Sequence, residues 1–279
     1  MNREPLRDVT EEEIETFERD GVVLLKGMFD ADWIQAMQDG FDAAIHDLGP
    51  LGKNMATEDQ GGAYYMDLGL WMRHPFFREL ALASPGAAIA AQLMRSKNIW
   101  LYDDQMFVKE PGTNSPTIFH QDAGYFLVDG MQLCGMWLTP DHVTRATGSL
   151  GFIRGSHRWG KVYRPRPFSE ASAALYDGTD AGADMEFLPS IEDDIDAYDI
   201  VYFDYEPGDC TFHHVRTAHG ASGNSHANHR RRGISVRYCG DDAVYEPRPY
   251  APRQPHIDVD LAPGAPIAAD VHPQVWPRA

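Results

Sequence analysis

From Asn98 to Gly240 the chain runs through short segments rich in β-branched and aromatic residues, punctuated by glycine and proline. "IWLYDDQMFVKEPG", "TIFHQDAGYF", "LCGMWLTPDHV", "GSLGFIRGSH", "IVYFDYEPGDCTFHH" and "RRGISVRYCG" follow one another with turn signals between them. Many short strands separated by turns imply a sandwich or a barrel. The expected class is mainly β.

The first third reads as helices that flank this β region. Thr10 and Glu13 have capping-box spacing, and Gly21 can end the helix they start. Asp30 caps a second helix, along which Ile34, Met37, Phe41, Ile45 and Leu48 recur at steps of three and four. Between them "GVVLLKGMF" reads as a strand. "HPFFRELALAS" and "PGAAIAAQLMR" read as two short helices joined near Ser84–Pro85. With 279 residues, of which 43% are hydrophobic, the chain can bury one sizeable core. One domain spanning 1–279 is expected. Its helical part at 1–97 packs on a barrel core at 98–246. An aperiodic insert at about 161–197 covers the barrel mouth, and a proline-rich tail at 247–279 lies extended over the surface.

A formal net charge of −18 disfavours nucleic acid and anionic membranes as partners. Much of the acidity lies in the N-terminal helix and in "EFLPSIEDDIDAYD", which reads as a solvated face. Three widely spaced cysteines without metal-type spacing argue against a disulfide framework and fit a reducing compartment. The N-terminus is charged and lacks a signal-peptide core, and no run of about 18 apolar residues occurs. The expected location is cytoplasmic, with no membrane association and an open oligomeric state.

"TIFHQDAGYF" places His120 and Asp122 two residues apart. On a strand, residues two apart share a face, so both side chains would point one way and Gln121 the other. An imidazole and a carboxylate on one face can bind the same metal, and two histidines with one carboxylate form the facial triad of non-haem iron oxygenases. The pair alone is weak in a chain with 12 histidines. A second histidine must come from a later strand. His226 and His229 lie in a polar turn. His213 and His214 are adjacent, so at most one faces inward. His219 reads as the end of a strand before Gly220, preceding a loop, a common site for a ligand at a barrel rim.

These blocks resemble the phytanoyl-CoA dioxygenase family of Fe(II)/2-oxoglutarate-dependent oxygenases. The resemblance rests on "ETFERDGVVLLKGMF", "QMFVKEPGTNSPTIFHQDAGYF", "GMWLTPDHVTRATGSLGFIRGSHRWG" and "HHVRTAHGASGN…RRRGISVRY", in that order. It covers most of the chain and is weakest at 165–200 and in the tail. It implies a double-stranded β-helix, the cupin-like jelly roll, with Fe(II), 2-oxoglutarate and O2 as cofactor and cosubstrates. His120, Asp122 and His219 match the metal ligands. Arg231 matches the arginine that holds the distal carboxylate of 2-oxoglutarate, for which a guanidinium fork is suited. Alternation puts Arg231, Gly233 and Ser235 on one face, and Arg230 and Arg232 on the other. Gln105 and Trp137 match further contacts to 2-oxoglutarate, although Trp137 also reads as an ordinary core aromatic.

Where relatives often carry a hydroxyl two residues after the distal histidine, this chain has Ala221, so Ser222 is the candidate replacement. Related halogenases have a small residue at the carboxylate position, so Asp122 favours hydroxylation. The expected reaction hydroxylates a small-molecule substrate and releases succinate and CO2. The alternatives are another metal enzyme on the same barrel, such as an isomerase or a 2-oxoglutarate-independent dioxygenase, or a non-catalytic ligand-binding barrel. Tyr125, Phe126, Lys109 and Arg158 are candidates for the substrate pocket. For Lys109 a solvent-facing or rim lysine is the simpler reading. Arg158, Lys161, Arg164 and Arg166 could hold an anionic substrate, or could simply neighbour the acidic 186–199 stretch.

Overall fold

The computed structural model describes residues 1–167, 184–252, 257, 259–267 and 271–278. Four α-helices occur among them: α1 (Glu11–Asp20), α2 (Ala31–Ile45), α3 (Pro75–Ala83) and α4 (Gly86–Leu93). Their ends follow the sequence signals. The Thr10 hydroxyl accepts from the Glu13 amide while Glu13 reaches back to Thr10, and Gly21 closes α1 at φ 77°. Asp30 caps α2 through the Trp33 amide.

The strands, in chain order, are β1 (Val22–Leu25), β2 (Lys53–Asn54), β3 (Tyr64–Leu68), β4 (Ile99–Lys109), β5 (Thr117–His120), β6 (Val128–Asp129) and β7 (Leu133–Leu138). Then come β8 (Leu150–Ile153), β9 (Ile200–Tyr202), β10 (Cys210–His214), β11 (His219–Ala221), β12 (Arg231–Cys239), β13 (Val244–Tyr245) and β14 (Gln274–Trp276). An eight-stranded sheet runs β1-β10-β7-β12-β4-β3-β2, with β14 also paired to β4. A four-stranded sheet runs β5-β11-β8-β9, and β13 pairs with β6. Among the described residues every strand pairing in these sheets is antiparallel. The two larger sheets are hydrogen-bonded separately rather than closed into one barrel. Trp137 and Val22 of the large sheet and Leu150, Phe152 and Ala221 of the small one share a core cluster, so the sheets form a two-layered jelly roll.

Period-two alternation divides the large sheet cleanly. Met106 and Val108 on β4, Met136 and Leu138 on β7, Phe212 on β10, and Ile234 and Val236 on β12 face the helices. There they meet Trp33, Met37 and Phe41 of α2, Phe77 and Leu80 of α3, and Ile89 of α4. Fully burying each such side chain contributes about 1.5–3 kcal/mol. The intervening residues point toward the small sheet. They include Phe107, Trp137, Arg231, Ser235 and Arg237, which line one cavity.

Three expectations need correction. The first 97 residues are not only a helical layer around one strand. Their strand β3 pairs with β4 over Tyr64–Leu68, and β2 continues the sheet. Gly61-Gly62 and Gly69 bracket this five-residue strand, but so short a run carries little periodicity of its own, and its pairing with β4 supplies the ordering. The tail does not simply lie over the surface. Ile257, Ile267, His272 and Val275 are buried, β14 joins β4, and Arg248 Nη1 donates to the carbonyls of Phe126 and Val128 at 2.6 and 2.7 Å. Of the 161–197 insert, residues 168–183 lie outside the described residues. The acidic stretch is partly structural: Glu192 Oε1 accepts from the Phe119 amide of β5 at 2.7 Å, and Ile191 is fully buried. Among the described residues no helix is long and apolar enough to cross a membrane.

Candidate active site

His120 is the last residue of β5, and His219 is the first of β11 rather than the end of a strand. The two strands pair directly, with His219 opposite His120. Residues 99 positions apart in the chain thus become cross-strand neighbours, with ring centroids 4.3 Å apart. Asp122 is not on the strand. It opens a 3-10 turn, Asp122–Tyr125, immediately after it. The turn still carries its carboxylate to the histidines, and one ligand atom from each of His120, Asp122 and His219 lies within 4.8 Å of the others.

The donor chemistry fits a metal. His120 Nδ1 donates to the Ile118 carbonyl at 2.8 Å, and His219 Nδ1 to the Thr217 carbonyl at 2.9 Å. A carbonyl only accepts, so Nδ1 carries the proton and Nε2 keeps its lone pair for the shared point. Burial, with His120 and His213 adding to it, pushes the His219 imidazolium well below its usual range, which keeps the ring neutral. Burial alone would push the Asp122 carboxyl up, but the Arg237 guanidinium, with His120 and His213, holds it well below the usual carboxylate range. Arg237 Nε donates to Asp122 Oδ2 at 3.3 Å, and its Nη2 donates to Gln105 Oε1 at 2.7 Å. Gln121 turns away, bridging the Arg216 carbonyl and the Tyr163 amide.

The cavity above this cluster ends at Arg231. Arg231 is 2% exposed, and its Nε and Nη2 both donate to the Gly148 carbonyl at 3.1 and 2.8 Å. Its guanidinium lies over the Trp137 ring, 4.9 Å from the centroid. Among the described residues no carboxylate lies within ion-pairing distance of it. Burial pushes its pKa down, the expected response of a cation without a counter-ion. Gly233 makes the approach of Trp137 possible, because a Cβ there would sit 2.4 Å from Trp137 Cζ2.

The other expected residues divide. Trp137 lines the cavity as expected. Gln105 reaches it only through Arg237. The Ser222 hydroxyl donates to the Arg145 carbonyl, so it does not replace the contact missing at Ala221. Thr117, directly across from Ala221, presents its hydroxyl to the same cavity, 3.0 Å from the Tyr64 hydroxyl. Lys109 is neither at the rim nor in solvent. It is fully buried opposite Arg231, its Nζ donating to the Ser222 carbonyl at 2.7 Å and lying 4.7 Å from the Tyr64 ring centroid. Burial, then Arg231, pushes its ammonium pKa well down. Phe126 lines neither of these two cavities. It packs under Arg237 and against Tyr102. Arg158 is exposed on the Ser156–Arg158 turn and lines neither cavity. Tyr125 does line an outer cleft, its ring edge-on to His120 at 5.7 Å.

Sequence reasoning missed Thr117 and Tyr64, and also two residues beside the metal cluster, Arg237 and His213. Arg237 continues the Arg231–Gly233–Ser235 face by one more step of two. His213 is the inward member of the adjacent histidine pair, with its Nε2 3.7 Å from Asp122 Oδ2 and both ring nitrogens lacking a hydrogen-bond partner among the described residues. His214 points the opposite way and contacts the Met131 carbonyl at 3.0 Å.

A jelly roll enclosing two histidines and one carboxylate has the donor set of the non-haem iron oxygenases. Within that class the chain belongs to the phytanoyl-CoA dioxygenase family, whose sequence description, Phytanoyl-CoA dioxygenase (PhyH), matches residues 17–233. It therefore falls in the Fe/2-oxoglutarate-dependent oxygenase superfamily.

A probable α-ketoglutarate-dependent hypophosphite dioxygenase from Stutzerimonas stutzeri is 28% identical over 152 residues, covering 53% of this chain and 47% of that protein. A phytanoyl-CoA dioxygenase from Arabidopsis thaliana is 27% identical over 90 residues, covering 32% of this chain and 31% of that one. The matches thus span about half or less of these curated relatives. Among solved structures, the α-ketoglutarate-dependent carbocyclase SnoK from nogalamycin biosynthesis superposes with TM-score 0.75 at 22% identity, covering 99% of this chain and 100% of that one. The epimerase SnoN, in complex with Fe3+, α-ketoglutarate and nogalamycin RO, gives 0.71 at 25%, covering 95% and 98%. EctD from S. alaskensis with 2-oxoglutarate and 5-hydroxyectoine gives 0.68 at 20%, covering 91% and 84%. The S. stutzeri relative and SnoK are α-ketoglutarate-dependent, the SnoN structure holds Fe3+ and α-ketoglutarate, and His120, Asp122 and His219 are the candidate iron site of this chain.

Proposed function

We propose that this chain is an Fe(II)- and 2-oxoglutarate-dependent dioxygenase that hydroxylates a small-molecule substrate. The observation that carries the reading is one cavity with a convergent His-Asp-His cluster at one end and a buried arginine without a carboxylate partner at the other. His120, Asp122 and His219 would hold the iron. Arg231 would pair with the distal carboxylate of 2-oxoglutarate, relieving its own uncompensated burial. Trp137 walls the cavity, and the Thr117 and Tyr64 hydroxyls supply polar contacts within it. Arg237 orients Asp122 and keeps it ionised. When bound, iron with 2-oxoglutarate and O2 supplies the oxidising power, releasing succinate and CO2 and passing one oxygen atom to substrate. The retained Asp122 supports hydroxylation over halogenation.

A second outcome on the same centre, epimerisation or ring closure, is favoured by the likeness to SnoN and SnoK. Succinate release with Fe(II), 2-oxoglutarate and O2 across a library of acids, amines, terpenoids and acyl thioesters tests the oxygenase reading. Labelled oxygen in the product then separates hydroxylation from the other outcome. Iron binding without succinate release from any pool would sink the proposal.

A further inference from the structure

Two cavities meet at His120. The inner one ends at Arg231. The outer cleft is lined by Phe119, Tyr125, Tyr163, Arg164 and Arg166 among others. Its two arginines are placed together by one aromatic ring: their guanidinium carbons lie 5.3 and 4.7 Å from the centroid of Phe187.

The segment carrying them is held without their charges. The Arg164 amide donates to the Glu186 carbonyl at 2.9 Å, and the Tyr163 amide to Gln121 Oε1 at 3.1 Å. The Tyr125 hydroxyl accepts from the Arg166 amide at 3.1 Å and donates to the Arg166 carbonyl at 2.7 Å. Arg166 Nη2 donates to the Leu188 carbonyl at 3.2 Å, and the Arg164 guanidinium makes no hydrogen bond among the described residues. Neither arginine has a described carboxylate within 4.0 Å. Nearby Arg154 and Lys161 do, pairing with Asp199 and Glu186 at 2.8 and 2.7 Å. In a chain with 42 Asp and Glu against 24 Lys and Arg, two neighbouring arginines without an acidic partner among the described residues are a local exception. A guanidinium resting over a ring keeps its in-plane N–H donors for a two-oxygen acceptor.

We propose that the outer cleft is the primary-substrate site, and that Arg164 and Arg166 recognise an oxyanion, a carboxylate or a phosphoryl group, on that substrate. The inference rests on the oxygenase reading. The oxyanion anchors at the arginines, the body of the substrate lies along Phe119, Tyr125 and Tyr163, and the reacting carbon faces His120. The substrate anion and the 2-oxoglutarate carboxylate thus have separate cationic sites on opposite sides of the metal cluster.

The test uses full-length protein loaded anaerobically with Fe(II) and stoichiometric 2-oxoglutarate. Its visible charge-transfer band is read first, and absence of that band counts against the oxygenase reading alone. The protein is then titrated with matched pairs: hexanoate and hexanamide, benzoate and benzamide, phenyl phosphate and phenol. Binding is read by tryptophan fluorescence. At least one anion should bind about tenfold more tightly than its neutral partner, the scale of a charge-assisted hydrogen bond. The responding pair shows whether the group is a carboxylate or a phosphoryl. The double variant Arg164→Gln/Arg166→Gln should lose the preference, and Arg164→Lys/Arg166→Lys should recover most of it. No preference in the native protein, no anion binding at all, or a preference that survives the glutamine variant overturns the proposal.

Discussion

The two sheets serve the site differently. The large sheet contributes long strands, eleven residues in β4 and nine in β12, each fixed by a helix-facing hydrophobic row. It carries Gln105, Trp137, Arg231 and Arg237. The small sheet contributes strands of only three or four residues, and both candidate histidine ligands lie at strand ends on it. Long strands aim a side chain by alternation against a core. Short strands bring ligands together by pairing, with His219 opposite His120. The metal end thus depends on register between strands, and the anchoring end on the period within one.

The largest expected effect is at the metal end. Asp122→Ala should lower iron affinity by more than roughly a hundredfold, beyond the range for residues that only orient ligands, and abolish succinate release. Fe(II) titration checks it, and retained binding would move the metal elsewhere. At the anchoring end, Arg231→Gln should raise the KM for 2-oxoglutarate roughly thirtyfold or more, from the loss of about 2–5 kcal/mol in a buried charge pair. The ligand-free melting temperature should change little, because losing the Gly148 hydrogen bonds is offset by removing a buried charge that has no carboxylate partner among the described residues. An unchanged KM would point to Lys109 as the anchor.

Arg237 joins the two ends, and its replacement measures the coupling. Arg237→Gln should weaken iron binding about ten- to a hundredfold while changing the KM for 2-oxoglutarate less. Equal effects on both would mean that the ends are not separable.

His214 of β10 offers a pH test outside the metal cluster. Burial, with His157 and Arg216 adding to it, pushes His214 from 6.5 down to about 3. The unfolded chain therefore binds the extra proton first as pH falls. Stability should decline by up to about 1.4 kcal/mol per unit between pH 6.5 and about 3, and His214→Gln should flatten that part of the curve measured by denaturant titration. The smallest effect is at Ser222. Ser222→Ala should change stability and 2-oxoglutarate KM by no more than about 0.5 kcal/mol, since its hydroxyl faces Arg145. Thr117→Ala should change the KM more, because that hydroxyl lines the cavity.

Helix caps and faces were legible because they depend on neighbours three or four residues away. Thr10, Gly21 and Asp30 do what their positions predict. The Arg231 face was legible for the same reason, and one further step of two reaches Arg237. Strand β3 was not, because five residues from Tyr64 to Leu68 become a strand by pairing with β4. Ser222 failed as a candidate for a different reason. Proximity to His219 in the chain says nothing about where a hydroxyl turns once β11 has ended.

By itself the sequence determined which residues can share a face, because alternation and helical period are set by local backbone geometry. It placed His120, Asp122 and Arg231 among the chemistry-bearing residues. Tertiary structure alone decided that Lys109 is buried, that His213 rather than His214 faces Asp122, and that Arg237 reaches Asp122. Burial and pairing depend on how segments about a hundred residues apart align, and only the packed sheets fix that register.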